Sequence, residues 1–309
     1  MRIELVAFES LGVRSQATFV ETRDVRIFID PAAALAPRRF SLPPHVREVE
    51  RLRDLYSEIE RRLERSDVVV VTHYHYDHHD PGRFIDPELY RGKLFLVKGH
   101  RSRINFSQKM RAWRFLKILE GVGAEVRVAD GAEVEFGGTL VRFSEPTHHG
   151  PDERLGYVIQ VCVSDGRETL VFTSDVEGPV REEVVDFIRS CGPDLVILDG
   201  PSTYLLGYRY PEEAFAKSIE LMKAILDVES VRLLIADHHL LRELGYAERI
   251  AEVVSHARML GKRVVSAADF MGVEPVLLEA RRRELFEEEP VSGVDMLRSM
   301  RVDLRSLGE

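Results

Sequence analysis

Cysteine is scarce in this chain, with only Cys162 and Cys191 among its 309 residues. Two thiols cannot form a disulfide framework for a chain of this length, nor a zinc site with four cysteine ligands. Cys162 lies in an apolar strand-like segment and Cys191 follows a predicted helix. We therefore interpret both as buried, unreactive thiols.

Long hydrophobic segments are absent too, because no stretch approaches the roughly 18 apolar residues of a membrane span. The first eight residues lack the basic head and apolar segment of a signal peptide, so we expect a cytoplasmic protein without membrane binding. Positive charge is also in deficit, because the net charge is −9. This acidic balance argues against a general nucleic-acid coat protein. Abundant arginine and glutamate with sparse methionine are typical of thermophiles.

The hydrophobic pattern predicts an α/β protein. Residues 44–64 carry apolar side chains at every third or fourth position, which indicates one face of an amphipathic helix. The segment 67–71, which is apolar without interruption from Val68, indicates a strand covered on both faces. Strand-rich segments interleaved with helices predict a four-layer αβ/βα sandwich of two mixed β-sheets flanked by helices. We expect one domain over residues 1–275 and a charged, partly helical extension over residues 276–309.

Histidines gather in three clusters, each just beyond the end of a predicted strand. Loops at strand ends build the sites of layered α/β folds, so we expect the clusters to meet. Imidazole and carboxylate are natural ligands of zinc. The alternative is a solvated histidine-rich turn, which the strand context disfavours. Eight of the eleven histidines belong to the clusters: His73, His75, His78 and His79; His148 and His149; His238 and His239.

The first cluster has the pattern His-x-His-x-Asp-His over residues 73–78. His73 and His75 are two residues apart and can point the same way from an extended segment. Asp77 and His78 follow where the chain must turn, and can face a second ion. Two ions about 3.5–4 Å apart need a bridging carboxylate and further histidines. Asp175, at the end of another predicted strand, is the candidate bridge.

Residues 73–78 resemble the signature motif of the metallo-β-lactamase superfamily. Asp30 at the end of an early strand and the preceding segment 12–21 also resemble the superfamily's opening, and the likeness extends over roughly residues 1–270. Within the superfamily the chain resembles an archaeal branch, which supplies no substrate by analogy. The later landmarks follow the superfamily's order: His149 before Gly156-Tyr157, then Asp175 after a strand, then His238 after another strand.

The resemblance implies a binuclear-metal hydrolase that uses a metal-activated bridging hydroxide. Its two divalent ions would be zinc, with manganese or iron as alternatives; an oxidative di-iron site usually has glutamate at the position of His75. Asp77 would also handle the catalytic proton. The implied ligands are His73, His75 and His149 for one ion, and Asp77, His78 and His238 for the other, with Asp175 and a water between them.

Two ligand choices stay open, because His148 could replace His149 and His239 could replace His238. The unused partner in each pair would orient a ligand or act as an acid towards the leaving group. His79 is interpreted as a residue behind the ligands.

The substrate signal is a basic stretch from Lys98 to Lys117, with seven cations, no acidic residue, and Phe106, Trp113 and Phe115 among them. It predicts a surface for an anionic small molecule or a nucleic acid, with base stacking. The same pattern also fits an amphipathic helix whose Trp113, Leu116 and Leu119 face the core.

Three functions remain on this evidence. The first is hydrolysis of a phosphodiester in a nucleic acid or nucleotide, and the second is hydrolysis of a small ester, lactone or thioester. The third is metal binding without catalysis. A serine nucleophile at Ser174 or Ser202 is disfavoured, because neither lies in a Gly-x-Ser-x-Gly motif. Homo-oligomer formation is open. We further expect His45 at the surface, exposed charge pairing for Arg281-Arg282-Arg283, and Asp199 and Tyr204 near the cleft.

Overall fold

Short strands rich in β-branched residues alternate with helices along the chain. A computed structural model describes residues 1–300 and 302. The strands are β1 Arg2–Phe8, β2 Gln16–Glu21, β3 Arg26–Ile29, β4 Val68–Val71, β5 Leu94–Val97, β6 Glu125–Val128, β7 Glu133–Phe136, β8 Thr139–Phe143, β9 Thr147–His148, β10 Tyr157–Val158, β11 Val161–Ser164, β12 Thr169–Phe172, β13 Leu195–Asp199, β14 Leu233–Asp237 and β15 Arg263–Val265. The α-helices are α1 Val46–Arg65, α2 Phe106–Gly121, α3 Glu182–Cys191, α4 Glu212–Leu226, α5 Tyr246–Arg249, α6 Ala251–Met259, α7 Ala267–Met271, α8 Arg282–Glu288 and α9 Val294–Ser299.

The strands form two mixed sheets and a small ribbon. The first sheet has the order β1-β2-β3-β4-β5-β6, antiparallel from β1 to β3 and parallel from β3 to β6. The second has the order β15-β14-β13-β12-β11-β8-β7, parallel from β12 to β15 and antiparallel elsewhere. Strands β9 and β10 pair separately. The predicted pair of mixed sheets is confirmed.

Strand β4 shows why its sequence is an unbroken apolar run. Val68 and Val70 point into the core between the two sheets, whereas Val69 and Val71 point into the core beneath α1 and α2. A third core joins the second sheet to α3, α4 and α6. The order helix, sheet, sheet, helix confirms the four-layer sandwich. Among the described residues, no helix has the length and apolar character needed to span a membrane.

Several strands end at the same edge of the sandwich, and polar loops follow them. The His73–His78 segment follows β4, and Asp175 follows β12. Four residues at this edge have left-handed backbone angles that side chains rarely adopt, with φ of 49° at Asp30 and Glu177 and 59° at Ser174 and His238. Strained backbone of this kind concentrates at functional sites.

The sequence pattern also predicts a single helix over residues 242–260, and this prediction is wrong. The chain forms a short 3-10 helix at His238–Arg242, then α5, then α6. Arg242 is fully buried at the polar edge of the sandwich, so its segment serves that edge instead of the outer helical layer. In the basic stretch the sequence predicts a helix over residues 102–119, but α2 begins only at Phe106, where the Asn105 side chain caps the first turn.

The start of α1 corrects the expectation for His45, which is buried instead of exposed. Its Nδ1 accepts a hydrogen bond from the amide of Arg47, and its Nε2 donates to the carbonyl of Glu289 at 2.7 Å. Glu48 completes a capping box, because its side chain accepts from the amide of His45. The histidine therefore joins α1 to the C-terminal part of the chain.

The expectation of exposed charge pairing is wrong for Arg282. This residue is fully buried, and its guanidinium donates to both carboxylate oxygens of Glu48 at 2.8 Å. Leu285 and Leu297 are also buried, so the described part of the predicted extension packs against the sandwich. The domain boundary at residue 275 stays a prediction, and residues 301 and 303–309 lie outside the described residues.

We predict that Arg282→Leu lowers the free energy of unfolding by about 3–5 kcal/mol, because it leaves the Glu48 carboxylate buried without its partner. Arg283→Leu is the matched control, since that side chain is exposed, and we expect a change within about 0.5 kcal/mol. Urea unfolding followed by circular dichroism measures both. Equal losses for the two variants would contradict the buried pair.

Candidate metal centre

Four buried side chains from three loops form a first donor group. His73 and His75 follow β4, His149 follows β9, and Asp175 follows β12. One ligand atom from each lies within 4.8 Å of the others. The Asp175 Oδ2 atom is 3.6 Å from His73 Nε2 and 3.3 Å from His149 Nε2.

A second donor group shares Asp175 with the first and adds Asp77, His78 and His238. His78 Nε2 lies 3.1 Å from Asp175 Oδ1, and His238 Nε2 lies 3.4 Å from Asp175 Oδ2. His238 Nε2 is also 3.7 Å from Asp77 Oδ2. The structure thus brings together all seven side chains singled out in the sequence, with Asp175 between the two sets.

The two open choices have different geometries. His148 is partly exposed and packs edge-on against Tyr157, with the two ring centroids 4.7 Å apart. It belongs to no donor group found among the described residues. His239 is buried, but both Asp199 oxygens lie 2.9 Å from its Nδ1. Of the first pair, only His149 lies in a donor group; Asp175, Asp199 and His239 form a further group that could hold an ion, so the choice of His238 over His239 stays a prediction.

A cation fits the donors present here. His73 Nε2 and both carboxylate oxygens of Asp77 are buried, and none of them makes a hydrogen bond within the described residues. A buried carboxylate without a partner is costly, and a bound cation removes that cost. Zinc binds nitrogen and oxygen at about 2.0–2.2 Å, which places tetrahedral ligand atoms about 3.3–3.6 Å apart. The separations of 3.1–3.6 Å around Asp175 are close to that spacing.

Charges in the centre depend on one another. Burial lowers the pKa of His73 well below its usual value, and the neighbouring His78 lowers it further. Burial opposes charge on His78 as well, but nearby carboxylates, Asp175 foremost, hold its pKa well above the usual value. Burial alone would raise the pKa of Asp175, yet His78 and His238 hold it well below the usual range. Neutral His73 and ionised Asp175 are the forms that bind a cation.

Behind the donors, polar groups hold the far ring nitrogens of the histidines. Asp30 Oδ2 lies 2.8 Å from His78 Nδ1, and Ser174 Oγ lies 3.3 Å from His73 Nδ1. Contacts of this kind fix the ring orientation and tautomer of metal-binding histidines. Ser174 is fully buried in this role, which leaves no access for a nucleophile. His79 donates to the carbonyl of His75, and burial lowers its pKa to about 3.

Sequence reasoning missed three residues of the centre. Gln16 Nε2 donates to Asp175 Oδ1 at 2.6 Å, and Glu9 Oε2 lies 3.3 Å from His238 Nδ1. The buried Arg242 guanidinium lies 3.5 Å from Glu9 and 3.8 Å from Asp77. Only Arg242 could have been found from the sequence, because it follows His238 by four residues, the spacing of one helical turn. Glu9 and Gln16 precede the motif by more than fifty residues, and neither their residue types nor their spacing indicates a contact with it.

A cavity of about 520 Å³ opens beside His149 and Glu177. Arg14 is paired with Glu279 at 2.7 Å, whereas Arg38 and Arg209 form no ion pair within the described residues. The cavity is therefore positively charged; the sequence predicts Tyr204 near it but none of its arginines. Five arginines line it, with Tyr204 and the acids Asp152 and Glu177: Arg14, Arg38, Arg39, Arg154 and Arg209.

The predicted basic surface contributes no residue to this cavity. Lys98 is buried and pairs with Asp130 at 3.2 Å, so it is unavailable to an anion. The alternative interpretation of the stretch holds for Leu119, which is fully buried, but is wrong for Trp113, which is 50% exposed. Asp199 lies behind His239, and burial first, then the Asp175 charge, raises its pKa to about 7.

Comparisons with known proteins support the fold. No protein-family model matches the chain. A UPF0282 protein of Sulfurisphaera tokodaii is 49% identical over 290 residues, which are 94% of each chain. The metallo-β-lactamase fold protein YhfI from Bacillus subtilis has a TM-score of 0.53 and 15% identity, covering 85% of this chain and 93% of that one. Yeast PDE1 has a TM-score of 0.52 and 12% identity, covering 85% and 96%. The predicted metallo-β-lactamase fold and archaeal relationship are confirmed.

We predict that zinc raises the free energy of unfolding by about 4 kcal/mol at a thousandfold excess over its dissociation constant, because it binds only the folded chain. Asp175→Asn, which alters the carboxylate shared by both groups, should abolish most of this gain. His256→Ala is the control, since that residue pairs with Asp227 outside the centre. Thermal unfolding with and without zinc measures the effect. An undiminished gain in Asp175→Asn would contradict binding at these groups.

Proposed function

We propose that this chain, which belongs to the UPF0282 family of archaeal proteins and has the metallo-β-lactamase fold, hydrolyses phosphodiester bonds in a nucleic acid or nucleotide. The observation that carries the proposal is the arginine-lined cavity beside the paired donor groups. The donors supply a place for hydrolytic chemistry, and the arginines supply a place for an anionic substrate.

Two divalent ions fit the paired groups, and zinc suits donors made of imidazole and carboxylate. Ions held there would polarise the scissile group and lower the pKa of a water molecule. The ligands we propose are His73, His75 and His149 for one ion and Asp77, His78 and His238 for the other, with Asp175 shared.

Asp77 is the residue to which we assign the catalytic proton. Its carboxylate is fully buried, and neither oxygen makes a hydrogen bond with the described residues. Such an oxygen can accept the proton of the attacking water. Arg242 lies 3.8 Å from Asp77 Oδ2 and keeps positive charge beside it. Gln16 holds the neighbouring Asp175 in place through its hydrogen bond.

The cavity arginines favour a phosphodiester over a neutral ester, lactone or thioester. A guanidinium donates two parallel hydrogen bonds to phosphate oxygens, and this pairing is stronger than bonds between neutral groups. Arg38 and Arg209 have no carboxylate partner within the described residues, so their donors are available. Arg39 stacks 4.5 Å over the ring of Tyr204, which fixes its position in the wall.

We predict two zinc ions per chain at saturation, measured by elemental analysis after gel filtration. His149→Ala should reduce the content to about one ion, because it removes a ligand of the first group only. His148→Ala is the matched control and should keep both ions, since His148 lies outside the donor groups. The reverse result would move the ligand to His148. At most one ion in the unmodified protein would reject the paired-metal site.

We predict hydrolysis of bis-p-nitrophenyl phosphate, lost by at least a thousandfold in Asp77→Ala. The double change Arg38→Glu/Arg209→Glu should lower kcat/KM by at least about 100-fold, because the loss of two hydrogen bonds to a charged group costs about 3–6 kcal/mol. Arg263→Glu, an exposed change on β15, is the charge-matched control and should have no effect.

Parallel assays with p-nitrophenyl acetate and a simple lactone separate the alternatives. Turnover of these neutral substrates with no turnover of the phosphodiester would replace the proposal by an ester or lactone hydrolase. A zinc-loaded protein that hydrolyses none of them would support metal binding without catalysis.

A further inference from the structure

Helix α2 has apolar side chains on two opposite faces. The first face packs into the core through Ala112, Phe115 and Leu119. The second carries three large apolar residues at helical spacings of four and three, which expose 79%, 38% and 50% of their surface: Phe106, Met110 and Trp113. A helix on the surface of a soluble protein needs only one apolar stripe. A second, exposed stripe indicates a binding surface.

Cations surround this exposed stripe. Lys109 and Arg114 flank it on either side, and the Lys117 ammonium lies 3.9 Å from the centre of the Trp113 ring. No acidic residue occurs between Lys98 and Lys117, in a chain whose net charge is −9. The stripe therefore combines flat aromatic rings with positive charge, which is the composition of surfaces that bind single-stranded nucleic acids.

The stripe begins at the rim of the arginine-lined cavity. Asn105, which caps α2, donates to the carbonyl of Arg154 at 3.0 Å, and Gln108 donates to the carbonyl of Leu155 at 2.6 Å. Both Arg154 and Leu155 line the cavity. Seven residues separate Phe106 from Trp113, a distance of about 10 Å at 1.5 Å per residue. This is about the length of three stacked bases at roughly 3.4 Å each.

We propose that the exposed face of α2 binds a single-stranded nucleic acid whose next phosphodiester enters the arginine-lined cavity. The inference rests on the proposed function for the reaction, but the binding surface itself is independent of it. A single strand is required because base faces are covered in a duplex. A second copy of this chain is disfavoured, since a symmetric contact would bring Lys109, Arg114 and Lys117 against their own equivalents. Three side chains also bury little area for a membrane surface.

Trp113 gives a direct test, because it is the only tryptophan in the chain. In the Asp77→Asn background, which keeps the probe intact, titration with 12-residue oligo(U) or oligo(dT) should quench Trp113 fluorescence. Anisotropy of the same probes carrying a fluorescein label should give at least a tenfold weaker Kd for Phe106→Ser and for Trp113→Ser, the loss expected for one stacked base. Met259→Ser is the control, since that residue is 77% exposed on α6 in the opposite helical layer.

Kinetics separate this inference from the proposed function. In the otherwise unmodified enzyme, Phe106→Ser should lower kcat/KM for the 12-residue strand at least tenfold more than kcat/KM for bis-p-nitrophenyl phosphate. Equal losses for both substrates would overturn the inference and leave the proposed function standing. Oligonucleotide binding that depends on Phe106 and Trp113, without hydrolysis of any phosphodiester, would do the opposite.

Three further results would overturn the inference. They are equal affinity for a 12-base-pair duplex, a blue shift of Trp113 fluorescence with anionic vesicles but no response to oligonucleotides, and self-association that Trp113→Ser abolishes. Binding of either oligo(U) or oligo(dT) supports it.

Discussion

The carboxylate of Asp175 is the contact on which the rest of the centre depends. It comes from the second sheet, whereas His73 and His78 come from the first, so its attraction to the imidazoles joins the two halves of the sandwich. A carboxylate in such a position is costly unless cations or donors surround it. The neighbouring histidines, the amide of Gln16 and the proposed metal ions all answer that one requirement. The strained turns at Ser174 and His238 follow from bringing these groups to a common point.

The sequence predicted those parts of the molecule whose information is local. The His73–His78 segment contains four donors within six residues, and the four consecutive valines of β4 indicate a strand that is buried on both faces. Both the motif and the strand could therefore be found without a structure. His149, Asp175 and His238 were found because each follows a strand. Arg38 and Arg209 could not be found, because a solitary arginine in a loop looks the same whether it faces a cavity or solvent.

Arg282 and helix α2 show two ways in which local patterns mislead. Three consecutive arginines followed by glutamates look like an exposed charged helix, but Glu48, the partner of Arg282, lies 234 residues away. The pattern of α2 fits either an anion-binding surface or an amphipathic helix that faces the core. The helix satisfies parts of both, since Phe115 and Leu119 face the core while Phe106 and Trp113 face solvent. The angular position of each residue around the helix axis decides which side chains face the core, and composition alone does not give that position.

The left-handed backbone at Asp30, Ser174 and His238 has a consequence for how the protein chooses among cations. Conformational strain of this kind persists only where the surroundings are stiff. The spacing of the seven donor side chains is therefore set by the fold before an ion binds. Calcium and magnesium favour oxygen donors, and calcium also needs longer bonds than zinc. We therefore expect this stiff, nitrogen-rich set of donors to disfavour both calcium and magnesium. The donor geometry itself would then select among cations. The supply of the cation that fits would limit the active fraction of the protein.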